Sequence, residues 1–263
     1  MMNKKIKNTL KSILKKFDIG IIKASTLEKL LSNASDQNDI EFLLKMSPHS
    51  TSSLLKYFRK SKSQIRQDLF VLAELNFKTN GFFVEFGATN GIDLSNSHLM
   101  EKEFGWKGIL AEPAKCWHKD LKKNRVCNIE TRCLWKDSFS TLTFNEVEIA
   151  ELSTLNNYSG SDLHKEARKN GKTYDVKTIS LNDLLEKYDA PRVIDYLSID
   201  TEGSEFEILS HFDFSKYSFN VITCEHNFTL MRDKLYGLLS SYGYVRVYQE
   251  ISQFDDWYVK ASQ

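Results

Sequence analysis

At 263 residues, with 41% hydrophobic and 12% aromatic content, the chain can bury one full α/β core plus an appendage, which excludes global disorder and two large domains. A net charge of +1 argues against a general nucleic-acid binder, so no nucleic acid is expected as partner. Cys116, Cys127, Cys133 and Cys224 show no paired spacing, which predicts reduced thiols in a cytoplasmic protein.

Residues 1–23 carry seven lysines against one aspartate, a net +6, which leaves −5 for the remainder. Ile6, Leu10, Ile13, Leu14 and Phe17 recur at helical spacing, predicting a basic amphipathic helix. Such a helix suits weak adhesion to the anionic inner face of a membrane, or equally packing on the following domain. Lysines interrupt every apolar run, so neither a signal peptide nor a transmembrane helix is expected. Short helical patterns continue through residues 26–60, broken at Asn33–Asn38 and at Pro48. Residues 1–62 therefore read as a helical extension and residues 63–263 as the main domain.

Gln67–Leu75 predicts a helix running into the Asn80-Gly81 turn, and from Phe82 strands and helices alternate. Phe82–Phe86 is the first strand, followed by a helix from about Ser95, a plausible N-cap. Gly108–Ala111 is the second strand, stopped by Glu112-Pro113, and Val126–Cys133 the third. Thr141–Val147 alternates as an added, half-exposed strand. Ser180 with Asp183 resembles a capping box opening a helix with Leu181, Leu184 and Leu185 on one side. Val193–Ile199 and Val221–Cys224 are further core strands. An amphipathic helix through Met231, Leu235, Leu238 and Leu239 stops at Gly243, and two β segments close the chain. The pattern predicts an α/β fold, a mostly parallel doubly wound sheet with an antiparallel C-terminal edge strand.

Ligands of such sheets bind beyond the carboxyl ends of the strands, where this sequence places Glu85, Glu112, Asp200, Glu202, Glu225 and His226. Glu85 is followed by Gly87, Asn90 and Gly91, and the two glycines let backbone approach a ligand closely. The G-x-G-x-x-G spacing of a pyrophosphate site is missing, which disfavours a nicotinamide or flavin cofactor. Acidic groups instead suit a cationic ligand, and Glu112 can accept hydrogen bonds from two ribose hydroxyls.

Three blocks carry a family resemblance: Phe83-Val84-Glu85-Phe86-Gly87-Ala88-Thr89-Asn90-Gly91, Gly105-Trp106-Lys107-Gly108-Ile109-Leu110-Ala111-Glu112-Pro113 and Leu197-Ser198-Ile199-Asp200-Thr201-Glu202-Gly203. Together with Ser63-Gln64-Ile65-Arg66-Gln67-Asp68, Glu225-His226-Asn227 and Asp255-Asp256-Trp257-Tyr258-Val259, the chain resembles the FkbM-type methyltransferases from Ser63 to Val259. Arg66 departs from the pattern, which has a small residue there, usually glycine. The resemblance implies a Rossmann-like methyltransferase fold, S-adenosylmethionine as methyl donor, and O-methylation, often of sugars in surface glycans or of natural products. It implies that Glu85, Gly87, Asn90 and Gly91 surround the methionine moiety, Glu112 the ribose, and Cys133-Leu134-Trp135 the adenine. Trp135 reads equally as a core aromatic.

Methyl transfer to a hydroxyl calls for positioning and for a base. His226 is the candidate by intrinsic pKa, unless it is a structural histidine, and Asp200 the candidate by position. Glu202 either joins them or caps the helix opening at Gly203. Asp200, Glu202 and Glu225 are also suited to a divalent cation, although none is expected, and no zinc spacing occurs. Acceptor contacts are expected from residues 148–172, with Asn156, Asn157, Tyr158, His164 and Arg168. Competing readings are a catalytically silent binding module and a nicotinamide-dependent oxidoreductase. The acceptor and the oligomeric state are not specified.

Overall fold

A computed structural model describes residues 37–160 and 164–261. The chain divides into two compact units, Met1–Leu44 and Lys45–Gln263. The basic stretch 1–23 lies outside the described residues. Among the described residues no helix is long and apolar enough to cross a membrane.

Helix α1 (Pro48–Tyr57) shows that Pro48 opens a helix rather than merely breaking one. Ser47 caps it by accepting from the Ser50 N–H, and proline at the first turn loses no intrahelical bond. Helix α2 (Gln67–Glu74) is then followed by β1 (Phe82–Phe86), α3 (His98–Phe104), β2 (Lys107–Ala111), α4 (His118–Asn124) and β3 (Asn128–Glu130). After an insertion come α5 (Leu181–Lys187), β8 (Val193–Ile199), α6 (Glu205–Ser210), β9 (Ser218–Glu225), α7 (Met231–Ser241), β10 (Tyr244–Val247) and β11 (Asp255–Lys260).

Seven strands form the main sheet in the order β10-β11-β9-β8-β1-β2-β3. β1 pairs in parallel with β2 on one side and β8 on the other, so the chain reverses its direction of winding at β1/β8. A crevice opens at such a switch point, which is what places the site. One correction concerns the antiparallel strand. β11 is not the edge but lies between β9 and β10, antiparallel to both, leaving β10 outermost. Its inner position fits its composition, since Trp257 and Tyr258 are fully buried. On an exposed edge they would lose about 1.5–3 kcal/mol each of burial.

Alternation along the strands sorts the two faces. Val84, Leu197, Ile199, Ile222 and Cys224 pack against Leu184, Leu185, Ile208, Leu209, Leu235 and Leu239 of α5, α6 and α7. Glu85, Ser198, Thr223 and Trp257 align on the other face, where Phe70 of α2 stacks on Trp257 at 4.5 Å between ring centroids.

The expected third strand is two. Only β3 joins the main sheet; β4 (Cys133–Trp135) leaves it for a second sheet, with a turn held by Glu130 accepting from the Thr131 and Arg132 N–H groups between them. That sheet has the order β4-β7-β5-β6, from β5 (Thr141–Glu146), β6 (Thr154–Leu155) and β7 (Lys172–Ser180). Ala114, Cys133, Phe144, Leu155 and Val176 form its own small core.

Candidate functional site

A cavity of about 280 Å³ opens at the carboxyl ends of β1, β2, β8 and β9, with the second sheet as its outer wall. Glu85, Glu112, Glu151, Asp200, Glu202 and Glu225 line it, and no lysine or arginine does, among the described residues. The lining therefore offers acceptor oxygens rather than cationic donors.

The β1 end is built around glycine. Gly87 has φ +74°, and a Cβ there would stand 2.2 Å from the Asp200 carbonyl oxygen, so only glycine allows the β1 and β8 ends to touch. Glu85 lines the cavity, but its carboxylate already accepts from the Asn96 N–H (2.7 Å), the Ser95 hydroxyl (3.0 Å) and the Ser97 hydroxyl, with Arg125 at 3.9 Å. Its main work is to fold the loop that follows β1. Asn90 and Gly91 do not line the cavity. The Asn90 side chain accepts from the Ile92 and Asp93 N–H groups, while Gly91 packs on Leu121 and Arg125, whose guanidinium donates to the Gly91 carbonyl.

Glu112, just past β2, accepts one backbone N–H on each carboxylate oxygen, from Thr89 (2.9 Å) and Ala114 (2.8 Å). Each oxygen keeps a lone pair for a further donor. Burial pushes its pKa up to about 7. Asn96 also lines the cavity, and its Oδ1 is buried without a hydrogen-bond partner while its Nδ2 donates to Ser198. An acceptor so placed needs a donor from a ligand. Cys133 and Leu134 line the wall, but Trp135 does not; it packs edge-on against Tyr158 in the second sheet's core.

The register of three strands assembles a row of carboxyls. Asp255 of β11 pairs with Glu225 of β9, and Ile199 with Cys224, which sets Asp200 beside Glu225. Gln67 of α2 donates to Asp255 at 2.9 Å. Burial pushes Asp200 and Asp255 up to about 7, and burial with Asp200 close by raises Glu225 as well. Carboxyls this close and this dry disfavour ionising together. An oxygen from each of Asp200, Glu202 and Glu225 lies within 4.8 Å of the others, close enough for a hard cation. Glu202, however, already accepts from Arg168 (2.7 Å) and Asn227 (3.2 Å), a commitment that competes with any metal.

Two readings of individual residues change. The loop ahead of α6 is tied not by Glu202 but by Glu205, which accepts from the Thr201 and Gly203 N–H groups. His226 does not reach the cavity. Strand alternation turns it away from Glu225 toward Asp256, 3.8 Å from Nε2, and its Nδ1 accepts from the Phe228 N–H. Burial lowers its pKa. His164 is the imidazole that lines the cavity instead, while Asn156, Asn157, Tyr158 and Arg168 stand outside the lining.

A parallel sheet wound in both directions from β1, with an antiparallel strand inserted beside its far edge and a carboxyl-lined switch point, is a Rossmann-like arrangement. The methyltransferase FkbM domain model matches residues 85–254, more than half of the sequence, and the chain belongs to that family. No curated protein matches it. Among solved structures, it is similar to methyltransferase FkbM from Methylobacillus flagellatus KT, with 10% identity and a TM-score of 0.44, covering 86% of this chain and 59% of that one. It is also similar to precorrin-6y C5,15-methyltransferase from Geobacter metallireducens GS-15, with 14% identity and a TM-score of 0.35, covering 68% and 71%. For the METTL16 methyltransferase domain the values are 11%, 0.39, 74% and 66%. The chain thus spans less than two thirds of two of these relatives. The fold assignment rests on the strand order itself.

Proposed function

We propose that this methyltransferase transfers the methyl group of S-adenosylmethionine to a hydroxyl oxygen, on a sugar of a glycan or a glycosylated metabolite. The observation that carries the reading is a cavity lined by carboxyls, without lysine or arginine among the described residues, in which Asp200 stands beside Glu225. The lining fits the cofactor: Glu112 offers two acceptor oxygens for ribose hydroxyls, Asn96 Oδ1 lacks a donor, and Gly87 leaves room for close approach. When bound, the cofactor supplies a methyl carbon activated by a sulfonium. Asp200, in its ionised form, takes the proton of the acceptor hydroxyl as the oxygen becomes nucleophilic, and Glu225 holds the second proton of the pair. Asn227 and Gln64 supply amides suited to neighbouring hydroxyls. Nothing in the lining favours a pyrophosphate, so the nicotinamide reading loses ground.

Calorimetry and turnover test this. Glu112→Gln is expected to weaken cofactor affinity about 10- to 100-fold, the worth of a hydrogen bond to a charged group. Asp200→Asn is expected to lower turnover about 10²- to 10⁴-fold with cofactor affinity within a few-fold. The wild-type rate should rise with pH through about 7 as Asp200 loses its proton, and the variant should lose that step. Full turnover in Asp200→Asn would remove it as base; no cofactor binding at all would leave a silent binding module.

A further inference from the structure

The imidazole of His226 lies buried outside the cavity, and the chemistry above makes no use of it. The two residues that follow it, Asn227 and Phe228, have φ +43° and +55°. Two left-handed residues in succession, one of them bulky, persist only where their surroundings hold them. Phe228 gains no burial from its conformation, since it is 66% exposed. Asn227 does gain a place: it lines the cavity, and its Nδ2 donates to Glu202 at 3.2 Å. Its Oδ1 accepts from none of the described residues, which leaves an amide oxygen for a ligand hydroxyl.

His226 supplies most of what holds this turn. Its Nδ1 accepts from the Phe228 N–H at 3.0 Å. Its carbonyl accepts from the Thr229 N–H at 2.8 Å and from the Thr229 hydroxyl at 2.9 Å. Its own N–H and that of Asn227 share the Phe254 carbonyl, at 2.9 and 3.3 Å. The Phe228 ring stands edge-on to the imidazole, with 5.2 Å between centroids. A side chain that accepts from the N–H two residues on makes an Asx-turn, here with an imidazole in place of an amide. The bond also fixes the state of the ring. An accepting Nδ1 carries no proton, so the proton sits on Nε2, 3.8 Å from Asp256.

Resting on the hydroxyl-acceptor reading above, we propose that His226 is a positioning residue for the acceptor. Its Nδ1 shapes the turn that sets Asn227 in the cavity wall, with Nδ2 on Glu202 and Oδ1 left for a hydroxyl of the acceptor. The histidine therefore acts through its neighbour and not as the base.

Two substitutions separate the accepting atom from the bulk of the ring. Asparagine places an oxygen at the branch where Nδ1 stands and forms the same turn readily. Glutamine keeps more of the volume but carries its amide one carbon further out. In nuclear magnetic resonance of the isotope-labelled full chain at neutral pH, the His226 ring should show the Nε2–H tautomer. The side-chain amide signals of Asn227 should keep their wild-type shifts in His226→Asn and move in His226→Gln. Methyl transfer from S-adenosylmethionine to a panel of methyl glycosides supplies the kinetic readout. His226→Gln should raise KM for the glycoside about tenfold, as expected for loss of one hydrogen bond, and His226→Asn less than about threefold. Affinity for S-adenosylhomocysteine should stay unchanged in both. An Nδ1–H tautomer, Asn227 signals that move equally in both variants, or a lower KM in His226→Gln than in His226→Asn would overturn the proposal. Transfer to no glycoside by the wild type would count instead against the hydroxyl-acceptor reading, and the tautomer and the Asn227 signals would still decide the role of His226.

Discussion

At the scale of single residues, the site depends on positions whose backbone or burial is unusual rather than on reactive types. Arg66, the departure from the family pattern, has φ +70°, the conformation that glycine adopts freely and other residues at a cost of about 1–2 kcal/mol. Its guanidinium lies 4.5 Å from the centroid of the Phe58 ring, a contact worth about 0.5–1 kcal/mol at an exposed site. Glycine would relieve the strain, lose that contact and add chain entropy to the unfolded state of about 0.5–1 kcal/mol. These effects nearly cancel, so Arg66→Gly should shift unfolding free energy by less than about 1 kcal/mol. Arg66→Ala keeps the strain and loses the stack, and should be the less stable of the two in urea titrations. The reverse ranking would mean that the chain entropy glycine adds to the unfolded state outweighs the strain it relieves. His226 teaches the complementary lesson: an imidazole at a strand end was legible, but its direction depends on one residue of alternation, and Glu225 took the cavity side.

At the scale of elements, the cavity wall is fastened by a buried ion pair. Arg168, in the segment ahead of β7, donates from Nε to the Leu152 carbonyl at 2.7 Å and from Nη2 to Glu202. Leu152 and Glu202 both line the cavity, so one side chain ties the second sheet to the end of β8. Arg168→Met leaves Glu202 buried without its cation, and should cost about 3–5 kcal/mol in denaturant unfolding. Adding Glu202→Gln should recover a large part; if it recovers nothing, the guanidinium acts through packing alone. This second sheet was also the part least legible in the sequence. Thr141–Glu146 announced itself by alternation, but its partner β7 did not, since Lys172, Thr173, Asp175 and Lys177 are polar and exposed and only Val176 and the residues from Thr178 on are buried. A strand with one wet face and lysines reads as a loop until its partner is known. The main sheet was legible almost to its ends because apolar runs there stop abruptly at acidic residues. Asn96 and Gln67 were not legible as site residues, because their partners Ser198 and Asp255 are distant in sequence, and Arg168 was read as an acceptor contact rather than as the partner of the equally distant Glu202.

At the scale of the whole molecule, concentrating carboxyls at one end of the sheet has a thermodynamic signature. Glu112, Asp200 and Asp255 are each raised to about 7 by burial, and Asp68 and Glu205 are raised as well. A carboxyl whose folded pKa lies above its unfolded value of about 4 stabilises fully below that value, and the stability is lost as pH rises through the folded pKa. His98, lowered to about 4, works the other way up to about 6.5. The carboxyls outnumber it, so the melting temperature of the ligand-free protein should fall between pH 5 and 8. The slope should be shallower in Asp200→Asn. A flat or rising profile would show that these groups are not protonated in the folded state.

The placement of β11 between β9 and β10 has a consequence for how the molecule comes into being. On the ribosome, β10 emerges before the strand it must border, so the edge of β9 stays bare until residues 255–260 have left the exit tunnel. Because Asp255 belongs to that inserted strand and accepts from Gln67, the carboxyl row is assembled only once β11 has docked between its two neighbours, so a chain in which β11 is undocked holds the parallel core without the completed row.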